Sequence, residues 1–135
     1  MINKIKFSLV LAAVLTVMGC ASQDDEERKR IEALAQSRAS IISSGLPIES
    51  GPLSIMKASA SNGIVEIMML YNTDARGAMP MSQMLYNSTS YYCTSPDVVD
   101  NLKQGVMYRI LMRNSRGQLV VDELISEDYC KQRAK

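Results

Sequence analysis

Cysteine is the residue type in this sequence whose chemistry and positions are most informative. The 135-residue chain has three cysteines, Cys20, Cys93 and Cys130, and it contains no histidine. A catalytic triad that uses histidine as its base is therefore excluded, and a metal site would have few ligands. No Gly-x-Ser-x-Gly elbow or glycine-rich phosphate loop occurs either. The sequence predicts a protein that is not an enzyme and that holds no metal or cofactor.

The N-terminal segment has the parts of a secretory signal. Lys4 and Lys6 precede an uncharged apolar run, residues 7–18, which at about 12 residues is too short to cross a bilayer. The run ends at Val17-Met18-Gly19-Cys20, which resembles a bacterial lipobox. We expect residues 1–19 to be a lipoprotein signal peptide and Cys20 to be acylated. The alternative is an ordinary secretory signal with an incidental cysteine.

An acylated Cys20 would hold the protein on a membrane that faces the periplasm. Two or more acyl chains anchor a protein stably, whereas one holds it weakly. In lipoproteins of diderm bacteria an aspartate after the cysteine signals retention in the inner membrane, and here Ala21 and Ser22 follow instead. By this analogy we expect a lipid anchor in the outer membrane.

The chain after the signal peptide has the size of one domain. It starts at Cys20, carries 13 basic and 14 acidic residues, and has no basic patch that would suit nucleic acid. We expect a short polar tether at 20–25 and a single domain at 26–135. In an oxidising compartment Cys93 and Cys130 are expected to form a structural disulfide, because the Cys-x-x-Cys spacing of a redox pair is missing.

The first half of the domain predicts a helix followed by a hairpin. Apolar residues recur at helical spacing over residues 26–44, and Gly45 can end that helix. Asn62-Gly63 is a strong hairpin signal between strands at 53–61 and 64–71. A two-residue turn would place Met56 opposite Met69. Both faces of this hairpin are rather apolar, so it is either covered on both sides or offers one face to a partner.

The second half predicts two short helices, at residues 80–92 and 96–104, and a second hairpin. The hairpin strands are expected at 106–113 and 118–126, with Arg109 opposite Asp122 and Met112 opposite Leu119. The expected fold class is α+β: an antiparallel sheet of two hairpins, with four or five strands and helices packed mainly on one face.

Methionine is unusually frequent, with eight residues after the signal peptide. Methionine fills gaps in cores and also serves adaptable binding surfaces. Met79, Met81 and Met84, with the neighbouring Leu85, lie where a loop enters a predicted helix. These four residues are our candidates for a partner-binding surface.

Several of these features occur together in one known family. They are Gly45-Leu46-Pro47-Ile48, the Asn62-Gly63 hairpin, the helix junction at Cys93, the hairpin from Tyr108 through Asn114-Ser115-Arg116-Gly117, and the closing Cys130. Together they make the chain resemble the type II secretion pilotins of the AspS (GspS-beta) type. The resemblance covers nearly the whole chain, including the lipobox. The chain is not similar to the all-helical pilotin class, which lacks these hairpins.

The resemblance implies a function in protein transport. Pilotins of this type bind the C-terminal segment of a secretin subunit, carry it to the outer membrane through the lipoprotein-sorting machinery, and support assembly of the secretin ring. It also implies acylation at Cys20 and a disulfide between Cys93 and Cys130, but it marks no secretin-contacting residue. The competing hypothesis is a structural envelope lipoprotein that braces another complex. A carrier of small ligands would need a pocket for which the domain has little room.

Overall fold

The computed structural model describes residues 19–135, with side chains from Ser22 onward. The expected signal peptide, apart from Gly19, and the side chain of Cys20 lie outside the described residues. The chain divides into two units, residues 1–30 and Ile31–Lys135.

Helix α1 spans Gly19–Ser43, so it begins before residue 26, where the apolar periodicity predicts its start. Residues 20–25, expected as a polar tether, are helical. Side chains 22–30 are all exposed, and two ion pairs at i,i+3 spacing, Asp25–Arg28 at 2.8 Å and Glu27–Arg30 at 2.7 Å, support these polar turns. Apolar periodicity could not predict this part of the helix, because its described side chains are all exposed and form no buried apolar face.

The unit Ile31–Lys135 contains the rest of α1, five strands and three more helices. In chain order these are β1 (Ile48–Ser50), β2 (Leu53–Ser61), β3 (Ile64–Tyr71), α2 (Met81–Thr94), α3 (Pro96–Lys103), β4 (Met107–Asn114), β5 (Leu119–Ile125) and α4 (Glu127–Arg133). Strand β1 and helix α4 were not predicted. Each is short, and three exposed residues in β1 carry no alternating pattern that sequence reading could detect.

The five strands form one sheet in the order β1-β2-β3-β4-β5. The two predicted hairpins, β2–β3 and β4–β5, are present and antiparallel, and they meet through a parallel pairing of β3 with β4. Helices α2 and α3 supply the crossover that a parallel pair requires. The α+β class and the mostly antiparallel sheet are confirmed, with one parallel pair at its centre.

The register of the first hairpin departs from the prediction at Met56. Pairing follows the expected frame from Ser61–Ile64 to Lys57–Met68, and then Ile55 pairs with Met69. Met56 is therefore the extra residue of a β-bulge, and its side chain is exposed. Our prediction that Met56 lies opposite Met69 was wrong, because the bulge turns Leu53 and Ile55 toward the core instead.

The register of the second hairpin is shifted by two residues from the predicted one. Arg109 pairs with Leu124, and Met112 pairs with Val121 rather than with Leu119. A bulge at Val120 follows, which leaves Val120 and Leu119 exposed. The Arg109–Asp122 ion pair still forms, but diagonally: the guanidinium reaches both carboxylate oxygens, at 2.6 and 2.8 Å.

The core lies between the helices and one face of the sheet. Tyr71, Tyr108, Ile67 and Ile110 are its largest fully buried side chains, and Ala35 and Ala39 bring α1 into the same cluster. The buried amide of Asn101 on α3 donates to the hydroxyl of Tyr108 at 2.9 Å. This bond satisfies the one buried polar side chain that α3 turns toward the sheet.

Cys93 and Cys130 form the expected disulfide, with Cα atoms 5.4 Å apart. Cys93 lies near the end of α2 and Cys130 lies in α4. Ser126 caps α4 by accepting a hydrogen bond from the amide of Tyr129 at 3.1 Å. The bridge therefore ties the C-terminal helix to the helical layer.

Candidate partner-binding groove

Tyr71, at the end of β3, fixes the loop that leads into α2. Its buried hydroxyl accepts a hydrogen bond from the amide of Met79 at 2.7 Å and donates one to the Met79 carbonyl oxygen at 2.9 Å. The amide of Asn87 on α2 lies 3.3 Å from the sulfur of Met79. Three contacts thus hold Met79 at the junction of loop, strand and helix.

Helix α2 starts after Pro80, whose fixed φ suits a helix start. Met84, Thr89 and Tyr92 are its buried residues. The hydroxyl of Thr89 donates to the carbonyl oxygen of Leu85 at 2.9 Å, so this buried polar group is satisfied inside the helix. One face of α2 therefore packs on the sheet, and its next face borders solvent.

An open groove of about 300 Å³ lies between α2 and the sheet. Its lining is mostly apolar and aromatic: Leu53, Ile55, Met69, Met79, Met84, Asn87, Ser88, Tyr91 and Tyr92. Leu53 and Ile55 reach it because of the bulge at Met56, which places them on the same face as Met69. The bulge, rather than α2 alone, therefore shapes the groove.

The groove is electrically neutral along its walls. No lining residue is acidic or basic, and the whole sequence between Arg76 and Asp97 is uncharged. Burial raises the pKa of Tyr92 well above its ordinary value, so this hydroxyl stays protonated at physiological pH. Tyr91 packs edge to face against Tyr92, with ring centroids 5.5 Å apart, and remains 61% exposed. Such a surface suits an apolar partner with few charges.

The four predicted partner-binding residues separate into two pairs. Met79 and Met84 line the groove. Met81 and Leu85 are half-buried, pack against the core, and are not part of the groove lining. Sequence reasoning missed Tyr91, which contributes an exposed aromatic ring. The uncharged stretch of sequence around α2 was the feature from which Tyr91 could have been predicted as part of a binding surface.

A second, larger cavity of about 580 Å³ lies among the loops at one end of the sheet, and its lining mixes polar residues such as Asn72 and Asn114 with apolar ones such as Leu70. Within the described residues, no group of three or more histidine, cysteine or acidic side chains is arranged to bind a metal ion. Among the helices described from Gly19 onward, none is long and apolar enough to cross a membrane. The groove beside α2, with its mostly apolar lining, is our candidate binding site in the part of the chain that the structure describes.

Comparison with known proteins identifies the family. The model for the type II secretion system pilotin, S protein, matches residues 27–130. The chain is 50% identical to EpsS, the pilotin of the Vibrio vulnificus type 2 secretion system, over 78% of this chain and 96% of that one, with a TM-score of 0.74. It is 46% identical to the type II secretion pilotin AspS from Vibrio cholerae, over 78% and 97% of the two chains, with a TM-score of 0.73.

A protein from Pseudomonas aeruginosa shares the fold alone, at 10% identity and a TM-score of 0.63 over 77% of this chain and 96% of that one. A search of curated proteins gives no match. Because the family model covers most of the chain and two solved pilotins match it closely, the chain belongs to the type II secretion system pilotin (S protein) family.

Proposed function

We propose that this chain is an outer-membrane lipoprotein that binds the C-terminal segment of a secretin subunit and promotes its targeting to, and assembly in, the outer membrane. The groove between α2 and the sheet supports this proposal, since family membership implies a secretin partner and an open apolar groove suits a short peptide segment. The protein acts here as a carrier and catalyses no reaction.

The chemistry of the groove favours a short amphipathic helix as the bound segment. Such helices place apolar anchors at i, i+3, i+4 and i+7 into an apolar groove. Methionine side chains at Met79 and Met84 adapt to anchors of different shape, and Tyr91 adds a rigid aromatic contact at small entropic cost. Met81 and Leu85 pack against the core and do not line the groove.

The proposed lipid anchor at Cys20 explains how binding becomes transport. A secretin subunit bound to an acylated protein travels with it when the lipoprotein-sorting machinery moves that protein to the outer membrane. Stable attachment needs more than one acyl chain on the cysteine. The bound subunit is then delivered to the membrane in which the ring assembles.

Membrane fractionation of cells that carry the full chain tests this proposal. With the Cys20→Ser variant we expect the secretin to remain in the inner membrane or to fail to assemble, while purified variant and wild type bind a synthetic secretin tail equally well. Wild-type secretin localisation with Cys20→Ser would contradict the targeting function. It would favour a lipoprotein that only braces an envelope complex.

A further inference from the structure

The sheet has a second face, directed away from the core, which we call the outer face. Its side chains alternate with the core residues along β2 to β5, and among charged and hydroxyl side chains stand the apolar Met68, Leu70, Leu111, Leu119 and Leu124. Leu70, Leu119 and Leu124 are exposed, and Met68 and Leu111 are half-buried without joining the core. Several exposed apolar side chains on one face of a sheet are typical of an interaction site.

The charged residues on the outer face follow an ordered pattern. One row across the sheet reads Lys57, Met68, Leu111, Asp122, and the next reads Ser59, Glu66, Arg109, Leu124. In the first row the positive charge lies on the β2 side and the negative charge on the β5 side. In the second row the order is reversed, negative on β3 and positive on β4. Each row thus changes sign across the line between β3 and β4.

This pattern is self-complementary under a two-fold rotation. Consider an axis parallel to the strands that runs above the line between β3 and β4. A second copy generated by this axis lies face to face with the first, with β2 over its β5 and β3 over its β4. Lys57 then faces Asp122 of the second copy, and Glu66 faces its Arg109. Met68 likewise faces Leu111, whereas Leu124 faces Ser59 and, in the adjoining row, Leu70 faces Arg113, so the match lies in the charges and in the central Met68–Leu111 pair.

From this match we propose that the outer face binds a second copy of the same chain in an isologous dimer. Three of the four charges are already partnered within each chain: Arg109 lies 2.6 Å from Asp122 and 3.6 Å from Glu66. Contact across the interface extends this network and pairs Lys57 with Asp122 of the second copy, so the four charges that it covers are paired and the desolvation cost is reduced.

The size of the face predicts a weak and reversible dimer. Four strands about 4.8 Å apart and eight residues long at about 3.3 Å each cover roughly 500 Å² per copy. The total of about 1,000 Å² is the lower limit for a specific interface. The groove beside α2 lies on the opposite side of the sheet, so a dimer through the outer face leaves both grooves free.

Disulfide cross-linking in cells that make the full chain but no secretin tests the dimer. The axis places Ser59 opposite Leu124 of the second copy, whereas within one chain these residues are separated by the width of two intervening strands. The double variant Ser59→Cys, Leu124→Cys is therefore expected to give a dimer band on a non-reducing gel. Neither single variant should do so, because the axis brings neither position against itself.

Charge reversal supplies an independent measurement. In the double-cysteine background, Lys57→Glu places a carboxylate against Asp122 of the second copy and should lower the dimer yield about tenfold. Lys103→Glu, the same change at an exposed residue on α3, should leave it unchanged. Absence of the dimer band, equal bands from the single variants, or cross-links only to other proteins would overturn the proposal.

Discussion

The hydroxyl of Tyr71 bonds to both backbone groups of Met79, accepting from the amide at 2.7 Å and donating to the carbonyl oxygen at 2.9 Å. Tyr71 is 2% exposed and belongs to the core, whereas Met79 lines the groove. A single buried side chain therefore couples the stability of the sheet to the shape of the candidate binding site.

Removing this hydroxyl should cost stability and affinity together. Tyr71→Phe leaves the Met79 amide and carbonyl without their partner, which we expect to lower the free energy of unfolding by about 1–3 kcal/mol. Urea denaturation measures this loss, and titration with a secretin tail peptide should show weaker binding. Tyr86→Phe, at a tyrosine that is 63% exposed, is the control and should change neither quantity.

The groove predicts a difference between two exposed tyrosines of α2. Tyr91 is 61% exposed and lines the groove, while Tyr86 is 63% exposed and packs under Arg133 on another side of the helix. Tyr91→Ala should weaken binding of a secretin tail by about 1–2 kcal/mol, as expected for an aromatic anchor. Tyr86→Ala should have little effect. Equal affinities for the two variants, measured by calorimetry, would place the binding site elsewhere.

Two glycines with positive φ predict a steric contrast. A Cβ at Gly105 would lie 2.9 Å from the Cδ1 atom of Ile31, whereas a Cβ at Gly117 would have nothing within 4 Å. Both alanine variants carry the cost of a left-handed backbone. We expect Gly105→Ala to lose about 1–3 kcal/mol more than Gly117→Ala because of overpacking. Ile31→Val removes Cδ1, so the excess should shrink in that background, as thermal or urea unfolding can show.

The disulfide should supply a large share of the domain's stability. It joins cysteines 37 residues apart, and in the chain-entropy model closing such a loop is worth about 3–4 kcal/mol. Replacing Cys93 and Cys130 together with serine should lower the free energy of unfolding by about this amount. Reduction of the wild-type protein should produce a similar shift in the urea midpoint, and reduction of the variant should produce none.

The ion pair between Arg109 and Asp122 predicts a loss of stability in acid. The hydrogen bonds and charge of Arg109 lower the pKa of Asp122. A carboxyl whose pKa is lower in the folded state stabilises that state above its unfolded pKa, and the contribution is lost as the pH falls below about 4. The stability difference between wild type and Asp122→Asn should therefore disappear toward low pH. Added salt should reduce it at neutral pH, because both groups are exposed.

Local sequence determined the features that depend on neighbouring residues. Asn62-Gly63 predicted the first hairpin with its bounds, because a two-residue turn with positive φ at both positions needs those residue types. Pro96 and Gly105 similarly bounded α3. The compartment implied by the N-terminal segment was sufficient to pair Cys93 with Cys130, since no other cysteine was free to compete.

Tertiary structure alone decided how these pieces fit. The parallel pairing of β3 with β4 joins segments separated by two helices, and no local turn specifies it. The bulges at Met56 and Val120 follow from packing on the core face. Because both faces of these strands carry apolar residues, the sequence pattern did not determine which residues face the core. The groove depends on both effects: Leu53 and Ile55 face it because of a bulge, and α2 lies beside them because the crossover places it there. The residues that line the groove could therefore be predicted from the sequence only in part, because the groove forms where segments distant in the sequence pack together.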